Sequence, residues 1–416
     1  MVEEYTKSLG LLKEYDDLIK KQKSITQRVI YTKIKSKIDA FLEKGGLNII
    51  SLIGLRGTGK TTILNTIAKE YDTLYTSGDF LSNYSIALKE LIKIYSTLNK
   101  RIIIIDEITY IDNWQDQLKI WGDVYQKFLF IISSSSALNL KELSADISRR
   151  LDIYKIEPLS FSEYLFIVQN ISLNAKEKLF DAIFKINKNE DRYNKLNKIS
   201  LELPFDLYKY FEDYKLRQFP FLLNENNTLP KIKEVIDKVI YKDISKLDNL
   251  YSENLTKIET ILRFLAVNEK TNYDNISKNT GLKRDIVEKI FGLLISSQLI
   301  FFVRDVIPTK IFKTTKKILF NIPSLRFSLD QIHMSSIIGF GREDYFAFVI
   351  RNLNLDIAYN YKQNGYDYLV AGVKFEIGNN KTALAKDVVV VGDFLNMELK
   401  NNVLYIPFYL FALLID

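Results

Sequence analysis

The sequence predicts an α/β protein whose first large domain is a parallel sheet, followed by helical and mixed α/β parts. Three observations predict it. Between residues 47 and 157, short apolar runs of strand length alternate with segments of helical periodicity, the pattern of strands joined by crossover helices. An apolar run at residues 47–53 leads straight into a glycine-rich turn and then a helix, LNIISLIGLRGTGKTT. Four consecutive isoleucines, Ile102 to Ile105, end in Asp106 and Glu107, which reads as a strand buried on both faces with two carboxylates at its C-terminal end.

Taken in order, residues 1–46 read as two helices, with apolar residues three or four apart between Lys and Glu, and Gly45-Gly46 stops the second. The strand 47–53 follows, then a helix after Lys60, a strand at 73–76, a helix through 86–95 and the isoleucine strand. A helix at 114–125 leads to a strand at 128–132, which ends in Ser133-Ser134-Ser135-Ser136; Arg149 and Arg150 precede a strand at 151–156. Ser160 and Glu163 form a capping box, so a helix starts after Pro158 and the chain stays helical to about residue 250 as a lid-like region. The polar stretch 185–198 interrupts it as a solvated loop or helix end. Residues 254–305 carry three helical segments, an Asn-Thr-Gly turn between the second and third, and an apolar strand, which describes a winged helix-turn-helix. Residues 405–415, YIPFYLFALLI, read as a buried terminal element.

At 416 residues the chain exceeds one ordinary domain, and with 47% hydrophobic and 13% aromatic residues it can bury sizeable cores. Cys is absent, which excludes disulfides and thiolate metal sites, and His333 as the single histidine argues against a His-based metal or triad site. The opening 20 residues are charged throughout and no apolar run reaches the ~20 residues that span a bilayer, so the expectation is a cytoplasmic chain without a membrane partner. A formal charge of +7 permits nucleic-acid binding without demonstrating it.

The chemistry lies in the glycine-rich turn. Gly54, Gly57 and Gly59 can take positive φ without a Cβ clash, so that successive N–H groups can turn inward around phosphates. Lys60 then reaches the β- and γ-phosphates, Thr61 offers a hydroxyl to Mg²⁺, and the following helix adds its positive end. Gly54, Leu55, Arg56, Gly57, Thr58, Gly59, Lys60, Thr61 and Thr62 form the candidate segment for ATP. Asp106 is expected to hold Mg²⁺ through water, and Glu107 to act as general base on the attacking water, which separates a hydrolase from a kinase. Ser133 or Ser135, at the end of a parallel strand, is placed to sense the γ-phosphate. Lys283, Arg284 and Lys289 on the third helix of the 254–305 pattern are the candidate contacts to duplex DNA; the alternative is a module that only packs.

GLRGTGKTT, IIIIDEITYIDNWQDQLK, FIISSSSAL, SRRL and EPLSFSEYL, in this order, resemble prokaryotic, archaeal-type AAA-family P-loop ATPases. That family's Thr-Gly-Ser-Ser motif is Ser133 to Ser136 here, without the glycine. The resemblance implies that Arg150, or the adjacent Arg149, stabilises γ-phosphate charge from a neighbouring subunit, hence a homo-oligomer. The family's Gly-Gly-Phe-Pro element reads Arg217-Gln218-Phe219-Pro220, and its Arg-Asp-Ile turn carries Lys242 before Asp243. KKILFNIPSLRFSL resembles the start of the family's C-terminal domain of unknown function, which implies an α/β endonuclease-like fold. There Asp367, Glu376 and Gly378 fall on the strand positions of a nuclease site, so its lysine is missing; Tyr345 replaces the helical acid, with Glu343 nearby, and Lys374 and Lys381 are the only substitutes. The implied organisation is N-terminal helices 1–46, an ATPase core 47–157, a helical lid 158–250, a winged helix 251–306 and a catalytically degenerate domain 307–416. The implied function is hydrolysis of Mg-ATP bound between core and lid, driving domain motion coupled to DNA; the alternative is an ATP-gated switch that binds a protein partner.

Overall fold

The computed structural model describes residues 2–21, 28–84, 86, 88–98, 100–135, 151–245, 252–268, 270–306, 316–329, 334–362, 364–379 and 385–416. The chain divides into two compact units, Met1–Glu157 and Pro158–Asp416.

In the first unit, β1 (Ile49–Ile53), β2 (Thr73–Ser77), β3 (Ile102–Asp106), β4 (Leu129–Ser134) and β5 (Leu151–Lys155) form one sheet in the order β2-β3-β4-β1-β5, with every neighbouring pair parallel. The isoleucine run is continuous because side chains alternate between faces and both faces are covered. Ile103 and Ile105 join Phe130, Ile132, Trp114 and Trp121 in one core; Ile102 and Ile104 join Leu129, Ile131, Ile63 and Ile38 in the other. The helices α2 (Val29–Lys44) and α3 (Lys60–Glu70) supply the second core, and α5 (Leu88–Thr97) and α6 (Trp114–Val124) the first. The edge strand β2 is sealed by the first helix, α1 (Val2–Lys21): Asp16 accepts from the Tyr75 N–H at 2.8 Å, and Lys20 donates to the Thr73 carbonyl at 3.2 Å. A short helix absent from the sequence reading, α4 (Gly78–Asn83), begins directly after β2 and is capped by Ser77. Because β4 lies between β1 and β3, the turn after β1, the carboxylates after β3 and the serines after β4 are neighbours along one edge of the sheet.

The second unit holds a sheet in the order β13-β14-β12-β11-β10-β9-β7-β8-β6. Its strands are β6 (Lys270–Thr271), β7 (Ile300–Asp305), β8 (Lys316–Phe320), β9 (Ile357–Tyr359), β10 (Tyr368–Val370), β11 (Val373–Ile377), β12 (Val388–Gly392), β13 (Glu398–Lys400) and β14 (Val403–Pro407). The pairs β7–β9, β11–β12 and β12–β14 are parallel; the others are antiparallel. Helices at Ser252–Ala266, Tyr273–Thr280 and Arg284–Ser296 precede β7. The capping box forms as read: Ser160 accepts from Glu163 N at 2.9 Å and Glu163 from Ser160 N at 3.1 Å. Residues 158–214, part of the region read as a lid, bury Phe161, Tyr164, Phe211 and Tyr214 in one core with Tyr345, Phe375, Leu404 and Phe411 of the C-terminal part.

The stretch 185–198 is not a solvated interruption. It contributes the helix Asn189–Ser200, whose buried side is Asn189, Arg192, Leu196 and Ile199. Two of these are polar, which hid the spacing, and they are buried as donors to backbone carbonyls. Asn189 donates to Val388 and Asn402 carbonyls at 2.9 and 2.8 Å, and Arg192 to that of Ile183 at 3.0 Å. The terminal run is buried as expected, with the helix Phe408–Ala412 following β14. Among the described residues, no helix is long and apolar enough to cross a membrane.

Candidate active site

The turn after β1 is shaped by two different glycine requirements. Gly57 and Gly59 take φ of 82° and 98°, the left-handed region that a Cβ disfavours. Gly54 does not use that freedom; it is needed because a Cβ there would lie 2.3 Å from the Ile156 carbonyl and 3.1 Å from Thr58 Oγ1. The turn is held closed by Thr58, whose hydroxyl donates to the Leu55 carbonyl at 2.9 Å. It is also tied from outside by Arg28, which donates to the Thr58 carbonyl at 2.9 Å and the Glu157 carbonyl at 2.7 Å. Lys60 is buried, and its ammonium donates to the carbonyls of Gly54 and Leu55 at 2.8 and 3.1 Å, so the charge lies inside the turn. The helix α3 begins at this lysine, with Thr61 and Thr62 in its first turn.

Thr61 meets the end of β3. Its hydroxyl donates to Asp106 Oδ2 at 2.7 Å, and Tyr75 from β2 donates to the same oxygen at 2.8 Å. Ser133, at the end of β4, donates to Asp106 Oδ1 and accepts from the Glu107 N–H at 2.8 Å. Ser133 is thus occupied with both carboxylate residues. Burial, with the Asp106 charge beside it, pushes the Tyr75 hydroxyl well above its ordinary pKa, so it stays a donor. Glu107 has φ 51° and ψ 52°; its carboxylate faces Arg56, whose two terminal nitrogens lie 3.4 and 3.3 Å from its oxygens. Ser135 follows β4 and is buried. Arg149, Arg150, Ser136, His333 and Lys381 lie outside the described residues.

The donor set fits Mg²⁺. Thr61 and Asp106 bring a hydroxyl and a carboxylate together at 2.7 Å, hard oxygen ligands of the kind Mg²⁺ takes beside water and phosphate. Arg28 and Tyr75 were not found from sequence. Arg28 lies 129 positions from Glu157, and Tyr75 sits in a strand whose pattern signals only burial.

In the second unit, Asp367 directly precedes β10 and accepts from the Ile377 N–H at 3.1 Å, while Glu376 is buried in β11. Tyr345 is buried among Phe211, Tyr214, Phe348 and Phe408. Glu343 receives the Lys317 ammonium at 2.6 Å and the Tyr368 hydroxyl. Burial lowers the Lys317 pKa, partly opposed by Glu343. Among the described residues, no three His, Asp or Glu side chains gather in a metal-holding arrangement.

The parallel sheet order, the phosphate turn and the carboxylates on the adjoining strand end define a P-loop NTPase fold for the first unit. Residues 47–165 match the family model described as an AAA domain, and residues 219–336 match a domain of unknown function, DUF8612. The chain is 28% identical over 438 residues to the uncharacterized protein MJ1637 of Methanocaldococcus jannaschii, covering 94% of this chain and 89% of that one. It is 28% identical over 262 residues to MJ1544 of the same organism, covering 60% of this chain and 53% of that one. Among solved structures, the Walker-type ATPase PABY2304 of Pyrococcus abyssi aligns at 13% identity with a TM-score of 0.45, covering 75% of this chain and 99% of that one. AMPPCP-bound DnaA from Aquifex aeolicus aligns at 18% identity with a TM-score of 0.26, covering 63% and 86%. At these TM-scores neither likeness adds to the fold argument.

Proposed function

We propose that this chain hydrolyses ATP with Glu107 as general base. The observation that carries the reading is the Thr61–Asp106 contact at 2.7 Å, with Lys60 inside the turn and Glu107 next in chain. Backbone N–H groups of the turn and of the first turn of α3 bind the phosphates, and Lys60 exchanges its carbonyl partners for their oxygens. Thr61, and Asp106 through water, would hold Mg²⁺, which would supply positive charge to those oxygens. Tyr75 and Ser133 hold Asp106 in place. Glu107 takes a proton from water as the water oxygen bonds the γ-phosphorus, and the bond from phosphorus to the β–γ bridging oxygen breaks to release ADP.

Lys60→Ala is expected to lose nucleotide binding. Glu107→Gln is expected to keep binding and lose about 10²–10⁴-fold in turnover, the usual contribution of a positioned base. Calorimetric binding and phosphate release measure the two. Parental turnover in Glu107→Gln would remove the base assignment.

Coupling to duplex DNA is proposed through the helix Arg284–Ser296, because Lys283, Arg284 and Lys289 are exposed there. A protein partner is the second reading, favoured by the mixed sign of that face: Arg284 is shared between Asp274 at 2.9 Å and Glu288 at 3.1 Å. The C-terminal positions Asp367 and Glu376 are proposed to serve structure and not cleavage, because the Asp367 carboxylate accepts from the Ile377 N–H at 3.1 Å and Gly378 stands where a nuclease lysine would be.

A further inference from the structure

We propose that Arg56 is a latch on the catalytic base: its guanidinium holds the Glu107 carboxylate until the γ-phosphate of ATP competes it away, so that ATP frees the base and ADP does not. The proposal rests on the ATPase reading above. The Arg56 side chain reaches from the phosphate turn to Glu107, the residue that follows β3. Its two terminal nitrogens approach Oε1 and Oε2 of Glu107 at 3.4 and 3.3 Å, one to each oxygen, and the second also donates to the Tyr110 hydroxyl at 3.2 Å. The two side chains are 17% and 20% exposed, so solvent only partly screens the pair.

The backbone around Glu107 is held on several sides, which fixes the direction in which its Cα–Cβ bond leaves the chain. Its N–H is held by Ser133 Oγ, its φ of 51° is in the left-handed region, and a Cβ on Gly78 would come within 2.4 Å of its carbonyl oxygen. With both carboxylate oxygens facing guanidinium N–H groups, Glu107 is poorly placed to take a proton from water. Arg56 sits in the turn that receives the phosphates, so the γ-phosphate brings it a second anionic partner with more charge and more oxygens than the carboxylate. ADP lacks that group. Arginine suits the exchange because its planar fork matches either partner with paired hydrogen bonds, whereas a lysine ammonium offers only a point charge.

A double-mutant cycle tests the latch. Affinities for a non-hydrolysable ATP analogue and for ADP, each with Mg²⁺, are measured by calorimetry in the parent, Glu107→Gln, Arg56→Gln and the double variant. Glu107→Gln releases Arg56 and should tighten the analogue by about tenfold relative to ADP, and the same change in the Arg56→Gln background should yield less than about twofold. Equal gains in both backgrounds would mean that Glu107 merely repels the phosphate, which overturns the latch and leaves the ATPase reading intact. A parent that binds neither nucleotide overturns the ATPase reading and the latch with it. Should Arg56→Gln lose its circular dichroism, Arg56→Lys completes the cycle: a gain reduced from the parental one supports the fork, and an undiminished gain overturns it.

Discussion

Replacing Ser133 by Ala distinguishes a phosphate sensor from a brace between two carboxylate residues. The hydroxyl of the buried Ser133 donates to Asp106 and accepts from the Glu107 N–H at 2.8 Å. A hydrogen bond to a charged group contributes about 1.5–3 kcal/mol, which corresponds to roughly 10–150-fold if it is fully expressed in the transition state. Asp106 retains Thr61 at 2.7 Å and Tyr75 at 2.8 Å, so the lower end applies. The expectation is a fall of about tenfold to thirtyfold in kcat with KM for ATP nearly unchanged, since the loss falls on orientation of the reacting groups. Phosphate release across ATP concentrations measures both constants, and circular dichroism confirms that the variant is folded. Unchanged kcat with KM raised tenfold would refute the brace and restore the sensor expected from the strand-end position.

Two other perturbations probe the second unit. Arg326 and Asp344 are fully buried, joined at 2.5 and 2.9 Å, and Arg326 also donates to the carbonyls of Leu265 and Ala266 at 3.0 and 2.8 Å. Arg326→Met strands the carboxylate and should cost about 3–5 kcal/mol in urea unfolding, while Arg326→Met with Asp344→Leu should recover most of it; a double variant no better than the single one would contradict this. Lys283→Glu with Lys289→Glu should weaken duplex DNA binding and flatten its salt dependence by about 0.9 per lost phosphate contact, with ATP affinity unchanged. Unaltered DNA affinity would instead favour the protein partner. The same incubations with Mg²⁺ should leave the duplex uncut, and cleavage abolished by Asp367→Ala would return the C-terminal unit to the nucleases.

The elements that build the candidate site were legible wherever local chain geometry forms them. A strand, a glycine turn and a helix opening on Lys60 are contiguous in sequence, and the four isoleucines before Asp106 announce a strand covered on both faces. What stayed hidden depends on distant partners. Arg28 has no pattern of its own, Tyr75 looks like any buried strand residue, and Ser133 offers a hydroxyl whose use is decided by the neighbouring strand. The helix Asn189–Ser200 escaped because two of its buried positions are polar and bind carbonyls, so hydrophobic periodicity underreports its inner face. Gly54 carries a different ambiguity: glycine marks either a left-handed backbone or a close approach, and the sequence does not separate the two.

The parallel pairing of β7 with β9, where Arg304 lies opposite Ala358 and Asp305 opposite Tyr359, splices the strands that follow the three helices at 252–296 onto the C-terminal sheet. A shared ladder resists shear along its length. A force applied to those helices is therefore borne by the terminal strands as well, and the second unit resists it as one stiff piece instead of beads on a string.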